Sequence, residues 1–153
     1  MASVRVSTKV TAPVEEVFKV FTDLEGSPGR VKNIKKIEVL TSTRGFHLGT
    51  RWMETREVAG REATEPLEVT AYEQGRSYTI TCDVKGARFD AHFSFAAIHG
   101  GTDVVVELDI IPQSFGAMLM APFGRMLLGT VEESLGHDLA DLRAAAQLKV
   151  TTA

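Results

Sequence analysis

A single cysteine, Cys82, excludes any intrachain disulfide, and no thiol-based zinc site is indicated. The four histidines, His47, His92, His99 and His137, have no spacing that suggests a metal or a nucleophilic triad, and each reads as a surface residue. Net charge is also scarce. Seventeen basic residues against 20 acidic ones give −3, so nothing electrostatic favours nucleic acid as a partner. The only local basic run is Lys32, Lys35 and Lys36, which reads as a solvated stretch leading into a strand. No apolar stretch reaches the length of a membrane span, and the N-terminus lacks the apolar run of a signal peptide. These absences set the expectation of a cytoplasmic protein without stable membrane insertion. There is no internal repeat, low-complexity tract, glycine-rich phosphate loop or metal-ligand spacing, so no cofactor and no metal are expected.

What is present is an ordinary globular composition, 44% apolar and 24% charged, over 153 residues. That length reads as one domain spanning 1–153, large enough to bury a real core. Ser3 to Val10 alternates, with Val4, Val6, Thr8 and Val10 on one face, as a half-buried strand does. Pro13 suits a first helical residue, and Val14, Val17, Phe18 and Phe21 fall at i, i+3, i+4 and i+7, so a short amphipathic helix should end near Asp23. Gly26 to Gly29 breaks the chain, and a second short helix or turn is expected over Arg30 to Ile34. Ile37, Val39 and Thr41 begin another strand, closed by a Gly45 to Gly49 turn region. From Thr50 a meander of antiparallel strands follows, with turns at Ala59-Gly60, Gln74-Gly75, Lys85-Gly86 and Gly100-Gly101. Tyr78, Ile80, Cys82 and Val84 share one face, as do Phe89, Ala91, Phe93 and Phe95, then Val104, Val106, Leu108 and Ile110.

Gln113 to Lys149 reads as one long helix that changes character halfway. Leu128, Val131, Leu135, Leu139, Leu142 and Ala146 recur at steps of three and four, while Glu132, Glu133, Asp138, Asp141 and Arg143 lie elsewhere around the turn. Phe115 to Leu128 is instead apolar nearly all round, and Pro122 predicts a kink or break within it. Such a segment suits a cavity wall.

Strand, two short helices, about six strands and a long helix make an α+β architecture with a curved antiparallel sheet of about seven strands around the last helix. At this point the opening strand with Ala12-Pro13-Val14-Glu15-Glu16-Val17-Phe18, then Phe21-Thr22-Asp23, Gly49-Thr50-Arg51 and the closing helix resemble the START-like (SRPBCC) superfamily of polyketide cyclase/dehydrase and lipid-transport type. The resemblance covers essentially the whole chain. It implies the helix-grip fold but little about activity, since members include lipid carriers, hormone receptors, aromatic cyclases and chaperone activators. Many relatives place a tryptophan or a Pro-Trp pair in the second helix, where this chain has Gly29-Arg30.

If Ala59-Gly60 is a two-residue hairpin turn, Glu54 faces Glu65 and Trp52 faces Leu67 on one side of the sheet. Leu67, Val69 and Ala71 form the apolar face of their strand, so that side is concave, and Glu54, Arg56, Arg61 and Glu65 point inward. Opposed carboxylates repel and are pushed up by burial unless Arg56 bridges them. A solvent-exposed charge ladder is the competing arrangement. Cys82 reads as a small core residue, and Tyr78 as a buried phenol able to present its hydroxyl to a ligand.

The leading expectation is therefore a module that binds or transports a small hydrophobic, lipid-like or polyketide-like ligand. Its cavity would be lined by Trp52, Tyr78, Phe89, Phe93, Phe95, Leu119, Phe123 and Met126, with Glu54, Arg56 and Glu65 at one polar end. The alternative the resemblance implies is a cyclase or dehydratase using an inward carboxylate, although no catalytic motif identifies its residues. A third reading makes the 115–128 segment a docking patch for a membrane surface or for a second subunit, as in a homodimer.

Overall fold

The computed structural model describes residues 2–42, 44–58, 60–84, 86–114 and 124–152. The chain opens with strand β1 (Ala2–Val10) and two helices, α1 (Val14–Thr22) and α2 (Ser27–Arg30). Six strands follow: β2 (Ile34–Val39), β3 (Arg51–Val58), β4 (Arg61–Glu73), β5 (Ser77–Val84), β6 (Ala87–Ile98) and β7 (Gly101–Pro112). Helix α3 (Gly124–Thr152) ends the described chain. The strands form one curved antiparallel sheet in the order β1-β7-β6-β5-β4-β3-β2, so the first strand closes against the last.

The alternation expected in β1 is present: Val4 and Val10 are buried, and Arg5, Ser7 and Lys9 are exposed. The two-residue connection to β4 needs a left-handed residue, and Gly60 supplies it with φ of +78°. At the β6–β7 turn the constraint is space. A Cβ on Gly101 would run into the Val10 carbonyl, so only glycine lets β7 begin against the end of β1. There the Thr102 hydroxyl donates to the Ala12 carbonyl at 2.8 Å and fixes the corner where β1 turns into α1.

Two register shifts bend the sheet, one between Ile34 and Lys36 and one between Val69 and Ala71. The second corrects the sequence reading of β4. Leu67 and Val69 face the core, but the bulge turns Ala71 out to solvent and Tyr72 in, where its ring meets Phe18 at 6.0 Å and Phe46 at 6.2 Å. A period-two pattern cannot reveal an inserted residue. The second helix is also displaced. It occupies Ser27–Arg30 rather than Arg30 to Ile34, because Pro28 sits in its first turn and Ile34 already begins β2.

On the concave side α1 buries Val17, Phe18, Val20 and Phe21. The Phe18 ring stands edge-on to Phe95 at 5.2 Å and to Tyr78 at 6.0 Å, and Phe21 to Phe95 at 5.2 Å. Helix α3 buries Leu139, Leu142 and Ala146 along the expected stripe. The Asp141 carboxylate accepts the Lys32 backbone N–H at 2.9 Å and ties α3 to the loop between α2 and β2. The helix does not begin at Gln113: β7 runs to Pro112, and the described helix starts at Gly124. The kink expected at Pro122 lies outside the described residues.

Phe18 joins α1 to three aromatic rings, so Phe18→Ala should cost about 3–5 kcal/mol, and Phe18→Leu clearly less. Urea unfolding of the two variants measures the difference, and equal losses would contradict the role given to the ring contacts.

Candidate functional site

Between the concave face and α3 lie two chambers that share a wall. The inner one is about 160 Å³ and largely aromatic, with Phe21, Phe46, Trp52, Tyr78 and Phe93 around it. The outer one is about 370 Å³ and is walled by Cys82, Val84, Phe89, Leu108 and Val131, with Glu65 on its rim of charged groups. Leu67, Ile80, Ala91 and Leu135 border both, and so do three charged residues, Glu54, Arg56 and Asp138.

The strand register brings these charges together. Val58 pairs with Arg61, Glu54 with Glu65 and Trp52 with Leu67, as a two-residue turn requires. Glu54 and Arg56 therefore point inward, with side chains only 12% and 24% exposed. Arg56 does not bridge Glu54 to Glu65. Its Nε donates to Glu54 Oε2 at 3.3 Å, and its Nη1 donates to Asp138 Oδ2 on α3 at 2.7 Å. Trp52 Nε1 donates to Glu54 Oε1 at 3.5 Å, which fixes the carboxylate from its other side. Among the described residues Glu65 makes no hydrogen bond or ion pair, while Asp138 Oδ1 is buried without a hydrogen-bond partner.

The electrostatics follow from this shell. Burial raises the Asp138 carboxyl above its ordinary range, with Glu54 and Asp141 adding to the rise and Arg56 opposing it. For Arg56 burial acts to weaken the charged form, but the Asp138 and Glu54 carboxylates outweigh it and the guanidinium is held more firmly protonated. Burial keeps the Tyr78 phenol neutral. The Cys82 thiol is pushed up to about 11, first by burial and then by Glu65, Glu54 and Asp83.

The residues expected from sequence divide clearly. Trp52, Tyr78 and Phe93 stand on the inner chamber, Phe89 and Glu65 on the outer, and Glu54 and Arg56 on both. Phe95 is not on either wall; it is packed in the core against Phe18 and Phe21. Arg61 shares the inward parity but is exposed near the hairpin end. Leu119 and Phe123 lie outside the described residues, as does the side chain of Met126. Sequence reasoning missed Asp138, placed there on the polar side of the helix. Its signal was available: position 138 follows Val131 by seven and Leu135 by three, and precedes Leu142 by four, which puts it on the apolar stripe. His92 is on the outer face as expected, between Thr79 Oγ1 at 2.9 Å and Asp109 Oδ2 at 3.2 Å.

A raised folded-state pKa means that folding takes up a proton at Asp138. Its contribution to stability is full below the unfolded value, about 3.9, and is lost as pH rises through the folded value. The stability of the native protein relative to Asp138→Asn should therefore decline from about pH 4 upward. Urea unfolding across that range measures it, and a constant difference to pH 8 would contradict the assignment.

The fold has clear counterparts among solved structures. The Zhui aromatase/cyclase from Streptomyces sp. R1128 superposes with a TM-score of 0.81 at 19% identity, covering 97% of this chain and 95% of that one. A protein from Thermus thermophilus gives 0.79 at 18%, covering 97% and 99%. A START superfamily protein from Mycobacterium smegmatis gives 0.77 at 17%, covering 95% and 97%. At these identities the likeness speaks for the fold alone. No curated protein matches the sequence significantly. No helix among the described residues is long and apolar enough to cross a membrane. The family described as polyketide cyclase/dehydrase and lipid transport matches residues 1–147. With nearly the whole sequence matched, the chain belongs to the family described as polyketide cyclase/dehydrase and lipid transport.

Proposed function

We propose that the protein binds a small hydrophobic ligand in the paired chambers and acts as its carrier or sensor. The observation that carries this reading is the shared wall: an aromatic inner chamber and an aliphatic outer one meet at a compact charged group, Glu54, Arg56 and Asp138. An apolar enclosure with few convergent polar groups is the usual makeup of a small-molecule site. Apolar burial supplies the affinity, and the charges orient whatever polar group the ligand carries. Trp52, Glu54, Arg56, Glu65, Tyr78, Phe89 and Phe93 are the proposed contacts, now joined by Asp138.

Ala91 borders both chambers, so Ala91→Leu should fill the passage between them. Nile red, a neutral apolar dye, is expected to bind the native protein saturably with a blue-shifted emission, and the variant at least tenfold more weakly with its thermal midpoint nearly kept. Dye binding that Ala91→Leu leaves untouched would refute the cavity as the site.

A second reading, a cyclase or dehydratase, is favoured by one feature: Asp138, on the wall of both chambers, combines a raised pKa with a buried carboxylate oxygen that has no hydrogen-bond partner. It places the inward carboxylate of such a reaction on α3 rather than at Glu54 or Glu65. Under this reading Asp138→Asn should abolish turnover of a bound polyketone while leaving its binding within a fewfold, and turnover surviving the change would exclude it.

A further inference from the structure

Among the described lining residues the charges do not balance, and their imbalance points to the kind of ligand. Among the described lining residues there are three carboxylates, Glu54, Glu65 and Asp138, against one guanidinium, Arg56. Arg56 is already shared between two of them, at 3.3 Å to Glu54 and 2.7 Å to Asp138. An incoming carboxylate would have to compete for that one cation, in a low-dielectric setting where the remaining like charges repel it strongly. Two acceptors are meanwhile unmatched. Asp138 Oδ1 is buried without a partner, and Glu65, opposite Glu54 across the strands, has no hydrogen bond or ion pair among the described residues.

We infer that the cavity selects an apolar molecule bearing a protonated amine and discriminates against fatty acids and other apolar anions. An ammonium group has three donors, no acceptor and one positive charge, so it can pair with Glu65 in the outer chamber and offset the negative charge that Glu54 and Asp138 add to the wall. A hydroxyl would supply a donor without the charge. The ligand's apolar body would lie along Phe89, Val84, Leu108 and Val131, which adjoin these carboxylates in the outer chamber. Cys82 on the same wall senses the same field, its thiol held up to about 11 by burial together with Glu65, Glu54 and Asp83.

This inference rests on the cavity being a ligand site, and a matched set of probes separates the two claims. Octylamine, octan-1-ol and octanoate have the same chain and are cationic, neutral and anionic at pH 7. Isothermal titration of the native protein should rank octylamine first and octanoate last, with at least a tenfold difference between them. Glu65→Gln, a half-buried change that breaks no hydrogen bond or ion pair with a described residue, should cut that ratio at least threefold. Asp138→Asn should reduce the ratio as well. Octanoate binding as tightly as octylamine would overturn the inference, and so would a ratio unchanged in both variants, which would assign the amine preference to the acidic surface at large. Octan-1-ol binding without amine preference would sink this inference alone. If none of the three probes binds, the cavity reading fails and this inference fails with it.

Discussion

The register of β3 on β4 is the constraint on which the rest of the site depends. Side chains alternate along a strand, so a slip of one residue would send Trp52, Glu54 and Arg56 to the convex face together. The short connection closed by Gly60 prevents that slip and sets Glu54 opposite Glu65. From there the charged group follows. Arg56, carried inward among apolar neighbours, needs counter-charges, and it finds one two residues away on its own strand and the other on α3. The pair with Asp138 thereby fixes which face of α3 meets the sheet at the middle of the cavity, while Leu139, Leu142 and Ala146 fix the contact further along.

Placing such a cluster inside the molecule carries a desolvation penalty of several kcal/mol per ion in general terms. A purely structural solution would be an apolar helix on an apolar sheet, with no chambers and no charges. This chain instead leaves space beside a guanidinium that, among the described residues, has more carboxylate around it than it can neutralise. The arrangement is coherent if a bound molecule completes it, because the ligand then supplies both the missing packing and the missing donor. Phe18 and Phe95 are in contrast packed ring against ring in the core at 5.2 Å and line neither chamber.

Much of this could be read before any coordinates. The strand faces, the order of elements and the β3–β4 register follow from period two, from period 3.6 and from glycine at tight turns; the sequence leaves open whether Glu54, Arg56 and Glu65 face the cavity or form an exposed ladder, and the low exposure of Glu54 and Arg56 decides for the cavity. What could not be read has physical reasons. The bulge after Val69 exchanges Ala71 for Tyr72 on the core face, and a local inserted residue leaves no periodic trace. Phe95 shares the inward face of β6 with Phe93 but lies under α1, and only the three-dimensional position of α1 decides that it is covered. Asp138 was misplaced because a charged residue on an amphipathic helix is ordinarily assigned to water, although its spacing set it on the apolar stripe opposite Arg56.

The central claim is that ligand enters the space between the sheet and α3. Methyl-resolved NMR during a titration with octan-1-ol tests it most directly. The account predicts saturable shifts concentrated on Leu67, Ile80, Ala91 and Leu135, which border both chambers, with little change at the exposed Leu40, Leu48 and Leu148. Shifts confined to those exposed leucines, with the four interior residues unmoved at saturation, would contradict it.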